Sequence, residues 1–103
     1  MSQQLAPQIG VVVLTMGNRP VELRRALDSL LSQRGVEIDA VVVGNGWDPT
    51  EIPKSIKTHY LPENLGIPAG RNAGVSQVSG EYLCFLDDDS WFLDDDFLIS
   101  AIE

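Results

Sequence analysis

Four short strand-like runs punctuate the chain, apolar at residues 9–15, 38–43 and 82–86 and weaker at 57–61, and the first intervening stretch carries its apolar positions at helical spacing. The first run, Ile-Gly-Val-Val-Val-Leu-Thr, is rich in β-branched residues, as in a strand covered on both faces. Residues 16–20, Met-Gly-Asn-Arg-Pro, turn the chain. Asn18 or Arg19 takes the cap position, and Pro20 suits a first helical turn, where a missing N–H costs nothing. Leu23, Ala26, Leu27, Leu30 and Leu31 then share one helix face, and Gly35 is expected to end the helix.

The second run closes in a strong turn, Gly44-Asn45-Gly46-Trp47-Asp48-Pro49. The third, shorter run stops at Pro62. Residues 68–78 are predicted as a helix weakened by Gly70 and Gly74. Glycines four apart on one helix face imply close approach to a ligand or a strand. The fourth run reads as a buried strand, and a last helix is expected from residue 94 to the final Glu103. Asp94, Asp95 and Asp96 would stand in its first turn, against the positive end of the helix dipole. Strands and helices alternating through short connections make an α/β fold. The loops after strands one, two and four then fall on one rim, where open parallel sheets bind ligands.

That rim carries the chemistry. Run four ends in Asp87, Asp88 and Asp89. In an extended chain Asp87 and Asp89 share a side about 6.6 Å apart, with Asp88 on the other. At an effective dielectric of about 20 their repulsion is about 2–3 kcal/mol. A divalent cation would relieve it, and all-oxygen ligands suit Mg2+ or Mn2+.

Size and charge narrow the field. A chain of 103 residues supports one small domain, and 44% hydrophobic with 21% charged residues is an ordinary globular composition. Of the net charge of −8, the six aspartates at 87–89 and 94–96 supply −6, leaving −2 for the rest. With no basic stripe, nucleic acid is excluded as a general partner. The one cysteine, Cys84, fits a reducing compartment and is expected to be buried and inert. No signal-like or membrane-length segment is present in the sequence. A cytoplasmic location is the expectation, with peripheral attachment at the inner membrane face open for a longer enzyme.

Several pieces together now define a resemblance: Val11-Val12-Val13-Leu14-Thr15 with the Asn18-Arg19 turn; Ala40-Val41-Val42-Val43-Gly44-Asn45-Gly46; the stretch from Asn64 through Gly70, Arg71 and Asn72 to Gly74; and Gly80 through Asp89. In this order and spacing the chain resembles the N-terminal, nucleotide-sugar-binding half of family-2 glycosyltransferases of the GT-A fold. The resemblance implies a Rossmann-like half-domain, a mostly parallel sheet of about four strands in order 3-2-1-4 flanked by helices. It implies that residues 87–89 are the DXD motif, with Asp89 and Asp87 toward Mg2+ or Mn2+ and Asp87 and Asp88 toward the donor. It further implies donor contacts from Thr15, Asn18, Arg19, Gly44, Asn45, Gly70 and Arg71, the last able to fork onto phosphate oxygens. Asn64 and Asn72 are expected to hold loop and helix geometry. The partners would be a nucleoside diphosphate sugar and a saccharide or lipid acceptor, with inverting transfer.

Two departures shape the expectation. The family commonly ends strand two with an aspartate that can accept from a uracil N–H, and Gly44 stands there. A GDP or dTDP donor, or base contact through Asn45 or the backbone, therefore stays open. The chain also ends one helix after the DXD strand. Residues 1–8 are expected to form a tail, and residues 9–103 the donor part of a transferase whose acceptor half and base lie elsewhere. The alternatives are a nucleotidyltransferase, for which residues 15–19 are poor in phosphate-binding glycine and lysine, and a non-catalytic nucleotide-binding or self-associating α/β module with an open sheet edge. A receiver-like domain would need an acidic pair at Thr15-Met16, and an EF-hand glycine where Phe92 stands.

Overall fold

In a computed structural model, which describes residues 6–103, the four strand-like runs are the strands of one sheet. The elements are β1 (Gln8–Thr15), α1 (Pro20–Leu31), β2 (Glu37–Asn45), β3 (Lys57–Leu61), α2 (Ile67–Val75), β4 (Tyr82–Asp87) and α3 (Phe97–Ile102). All pairings are parallel and the order is β3-β2-β1-β4, as the resemblance implies. Strand β1 begins at Gln8, one residue ahead of the expected boundary. Gln8 pairs with Glu37, and the Pro7 carbonyl accepts from the Glu37 N–H. Residues 1–5 lie outside the described residues.

The two-residue strand period divides the core between two faces. Ile9, Val11 and Val13 of β1, with Ala40 and Val42 of β2, pack against Leu23, Ala26, Leu27 and Leu30 of α1. Val12, Val41 and Val43 face the other way, toward α2. The β2–β3 crossover contains no helix. Ile56 is buried in the α1-side core, with Trp47 and Ile52 packed against it, so loop side chains cover this part of the sheet. Gly70 and Gly74 explain how α2 sits so close on its face. A Cβ at Gly74 would lie 2.4 Å from Val12 Cγ1, and one at Gly70 would lie 2.6 Å from Leu14 Cδ1. The close approach is therefore to the sheet.

Several boundaries differ from the pattern's expectation. Leu31 ends the apolar stripe of α1 but is 44% exposed, and the helix stops there, ahead of Gly35. Helix α2 ends at Val75 rather than residue 78. Residues 94–96 precede α3 instead of forming its first turn, and Asp96, in the N-cap position, makes no side-chain cap bond. Its carboxylate pairs with Arg34 at 3.2 Å, while buried Gln33 accepts from the Leu98 N–H and donates to the Asp94 carbonyl. This segment is held by tertiary contacts. Strand β4 is an edge rather than a buried strand, with Tyr82, Leu83 and Phe85 all more than 40% exposed. Among the described residues no helix is long and apolar enough to cross a membrane.

Candidate functional site

The chain runs from β1 through β2 to β3 and then returns to place β4 on the far side of β1. The strand order reverses between β1 and β4, and the crevice beyond such a switch point is where open α/β sheets bind ligands. A cleft of about 630 Å³ opens there, with Thr15, Arg19, Asn45, Arg71, Asp87, Asp88 and Asp89 in its wall. Residues from three strand ends and the start of α2 thus meet at one rim.

Each carboxylate of the triplet has a protein partner. Asp87, the last residue of β4, receives Arg71 Nη2 at 3.2 Å. The Thr15 hydroxyl donates to Asp88 Oδ2 at 2.8 Å and accepts from the Gly17 N–H at 3.0 Å, so the end of β1 is tied to the acid loop. Arg19 Nη1 lies 2.5 Å from Asp89 Oδ2 and 3.9 Å from Asp88 Oδ1. The chain turns after Asp87, with the Ser90 N–H donating to the Asp87 carbonyl at 3.1 Å, so the alternation of an extended triplet does not apply. The repulsion that the sequence leaves to a cation is already partly offset by two guanidiniums.

The acids also suit a hard cation. Among the described residues no three acid, histidine or cysteine side chains converge on one point. A cage built from protein alone is therefore not formed. Mg2+-type sites ordinarily take only one or two carboxylates and complete their shell with phosphate and water. The cleft offers carboxylate oxygens of that kind, with guanidiniums placed for phosphate rather than for the metal, so Asp87 and Asp89 fit the group the resemblance implies.

The remaining expected residues divide. Asn45 lines the cleft, but its side chain is committed: Oδ1 accepts from the Leu65 N–H at 2.9 Å and Nδ2 donates to the Gly66 carbonyl at 3.2 Å. Asn64 Oδ1 accepts from the Gly66 N–H at 2.9 Å, which closes this loop as expected of it. Asn72 is exposed on α2, and Asn18 is exposed and is not among the residues lining the cleft. Gly70 lies behind the cleft wall, against Leu14. Gly44 also lies away from the cleft. A Cβ there would lie 1.9 Å from the Trp47 carbonyl oxygen and 2.8 Å from Pro49, so the Trp47 turn occupies the space an aspartate would need.

Arg71 carries a second contact, with its guanidinium carbon 5.2 Å from the Phe85 ring centroid. Met16, Asn64 and Ile67 join the cleft wall although motif reasoning did not single them out as ligand contacts. Met16 and Ile67 are 52% and 60% exposed. An apolar residue directly after a strand on the ligand rim is the signal that could have found Met16. Burial raises the Cys84 thiol pKa, although Cys84 is only half-buried on β4.

Comparison with known proteins agrees with this fold. The chain is 34% identical over 92 residues to glycosyltransferase GlyA of Streptococcus pneumoniae, covering 82% of this chain and 13% of that protein. Its fold matches S. aureus TarS with a TM-score of 0.76 at 25% identity, over 92% of this chain and 19% of TarS. It also matches the mannosyltransferase PcManGT from Pyrobaculum calidifontis, solved in complex with GDP-Man and Mn2+, with a TM-score of 0.79 at 20% identity, over 95% of this chain and 32% of that one. The chain thus spans well under half the length of each. A sequence profile described as "Glycosyl transferase family 2" matches residues 11–102, nearly the whole chain, and with the sheet order and the rim cleft it establishes that the chain belongs to glycosyl transferase family 2.

Proposed function

We propose that this chain is the donor-binding part of a metal-dependent glycosyltransferase, holding a nucleoside diphosphate sugar for inverting transfer to a saccharide or lipid acceptor. The observation that carries the reading is the meeting of three carboxylates and two guanidiniums in one cleft at the sheet's switch point. The PcManGT complex with GDP-Man and Mn2+, on the same fold, lends support.

In this reading Arg71 and Arg19 reach phosphate oxygens, for which a planar guanidinium is suited. Asp89 and Asp87 hold Mg2+ or Mn2+. Such a cation supplies Lewis-acid stabilisation of the departing diphosphate. Thr15 keeps Asp88 fixed and thereby the loop that carries Asp89. Asn45 keeps residues 64–66 in place beside the start of α2. During transfer the acceptor oxygen bonds to the anomeric carbon as the bond to the diphosphate oxygen breaks, and a base takes the acceptor's proton. Among the described residues no acid besides Asp87, Asp88 and Asp89 lines the cleft, so we assign that base to a part of the enzyme outside these residues.

The test is thermal stability with millimolar Mn2+ and a nucleoside diphosphate. A ligand at ten times its Kd stabilises the folded state by about 1.4 kcal/mol. The wild type is expected to gain, and Asp89→Ala to lose the gain. No gain in the wild type overturns the donor-binding reading, and equal gains in both remove Asp89 from the site.

A further inference from the structure

We propose that Arg19 changes partner when the cleft is loaded. It neutralises Asp89 beforehand and turns to the diphosphate once a divalent cation takes that carboxylate, so cation and nucleotide bind cooperatively. The inference rests on the donor-binding reading and adds to it how the two ligands are coupled.

The three acid contacts differ in how readily they can exchange. The Asp88 side chain is only 15% exposed and is held by the Thr15 hydroxyl from the end of β1. Arg71 has the Phe85 ring as well as Asp87, and it projects from a helix. The Arg19–Asp89 pair is the shortest of the three contacts, but it has no ring behind its guanidinium and no hydroxyl on its carboxylate. Both side chains are nearly half exposed, at 48% and 47%. Arg19 stands at the N-cap position of α1, in the loop before Pro20, and its side chain makes no capping bond. An ion pair this exposed is weak, because water screens it and both side chains give up rotamer freedom. It can therefore be broken at small cost by a better ligand.

The geometry makes the exchange cooperative. With Arg19 Nη1 at 2.5 Å from Asp89 Oδ2, a cation cannot approach that oxygen without meeting the positive guanidinium. A cation arriving alone must displace Arg19 from Asp89 and leaves it only the longer contact to Asp88, at 3.9 Å. A diphosphate arriving alone draws Arg19 away and leaves the Asp89 carboxylate facing phosphate charge. When both arrive, Asp89 has the cation and Arg19 has the phosphate, so neither charge is left unpaired. By linkage each ligand must then tighten the other by the same factor.

The experiment is a titration of Mn2+ followed by the electron paramagnetic resonance of the free ion, with and without GDP or UDP, on wild type, Arg19→Gln and Arg19→Lys. Mn2+ also binds nucleoside diphosphates in solution, and comparison at equal nucleotide removes that contribution. The wild type is expected to bind Mn2+ at least about fivefold more tightly with nucleotide, within the usual range of coupling between sites. Arg19→Gln is expected to bind Mn2+ alone more tightly than the wild type and to lose most of the enhancement, with Arg19→Lys in between. Far-ultraviolet circular dichroism confirms that the variants are folded. If Arg19→Gln binds Mn2+ alone no more tightly, or keeps the full enhancement, the exchange is refuted while donor binding stands. If the wild type binds neither ligand, both readings fall.

Discussion

Helix α2 carries Arg71 to the cleft, and its seat on the sheet depends on two glycines that answer differently to the same substitution. An added Cβ at Gly74 would lie 2.4 Å from Val12 Cγ1, 3.0 Å from Val43 Cγ2 and 3.1 Å from Val12 Cγ2. Those valines are 1% and 0% exposed and sit on adjacent strands, so neither can retreat. Overpacking such a site costs about 2–3 kcal/mol. Alanine returns about 1 kcal/mol through its better helix propensity. The net loss for Gly74→Ala is then about 1–2 kcal/mol, or about 5–15 °C in Tm for a domain of this size. At Gly70 the obstacle is the end of half-buried Leu14, whose Cδ atoms would lie at 2.6 and 3.0 Å. Moving that side chain off its rotamer costs about 0.5–1.5 kcal/mol. The same propensity gain of about 1 kcal/mol offsets it, leaving Gly70→Ala within about 0.5 kcal/mol of wild type. Urea unfolding of the three proteins measures the difference. In Gly74→Ala, lifting α2 from Val12 should also move Arg71 off Asp87 and weaken nucleotide binding. A Gly74→Ala variant as stable as the wild type, or less affected than Gly70→Ala, would refute the argument that these glycines seat α2.

Three further outcomes are expected. Burial acts to raise the Asp39 carboxyl, but hydrogen bonds from Lys57 and Ser79 and the Lys57 charge outweigh it and hold it below the usual carboxylate range. Its stabilisation is present above the unfolded value of about 3.9 and is lost as pH falls through the lowered folded value. Asp39→Asn should therefore be less stable than the wild type at neutral pH and converge with it in acid, and a deficit that persists through acid unfolding curves would contradict this. With no carboxylate at position 44 and Asn45 committed to its loop, UDP should hold less than about a tenfold advantage over GDP in calorimetric titration, or about 1.4 kcal/mol; Gly44→Asp should lower stability through the Trp47 turn without creating a preference for UDP. The open edge of β4, with Leu83 and Phe85 exposed, should pair with a second copy, so light scattering at hundreds of micromolar should detect dimers, and monomer alone would count against this.

The amino-acid sequence determined the local elements and the rim. Strand periodicity and the Pro20 and Pro62 breaks are short-range signals, and they placed β1, β3, β4 and the start of α1 within a residue. The same pattern brought Thr15, Asn45 and the acid triplet to one side of a parallel sheet, where the cleft lies. What it could not supply were partners distant along the chain. Thr15 meets Asp88 across 73 positions and Arg19 meets Asp89 across 70, so the triplet's charges are met by protein groups that no local spacing announces. The last helix shows the same limit. Residues 94–96 have the composition of a capping turn, yet Arg34 and Gln33 of the α1–β2 connection hold that segment in another shape. Gly44 was legible as a missing carboxylate, but only the folded loop disclosed that the Trp47 carbonyl fills its place. Local propensity is a property of neighbouring residues, whereas charge pairing and close packing depend on which surfaces the completed sheet brings together.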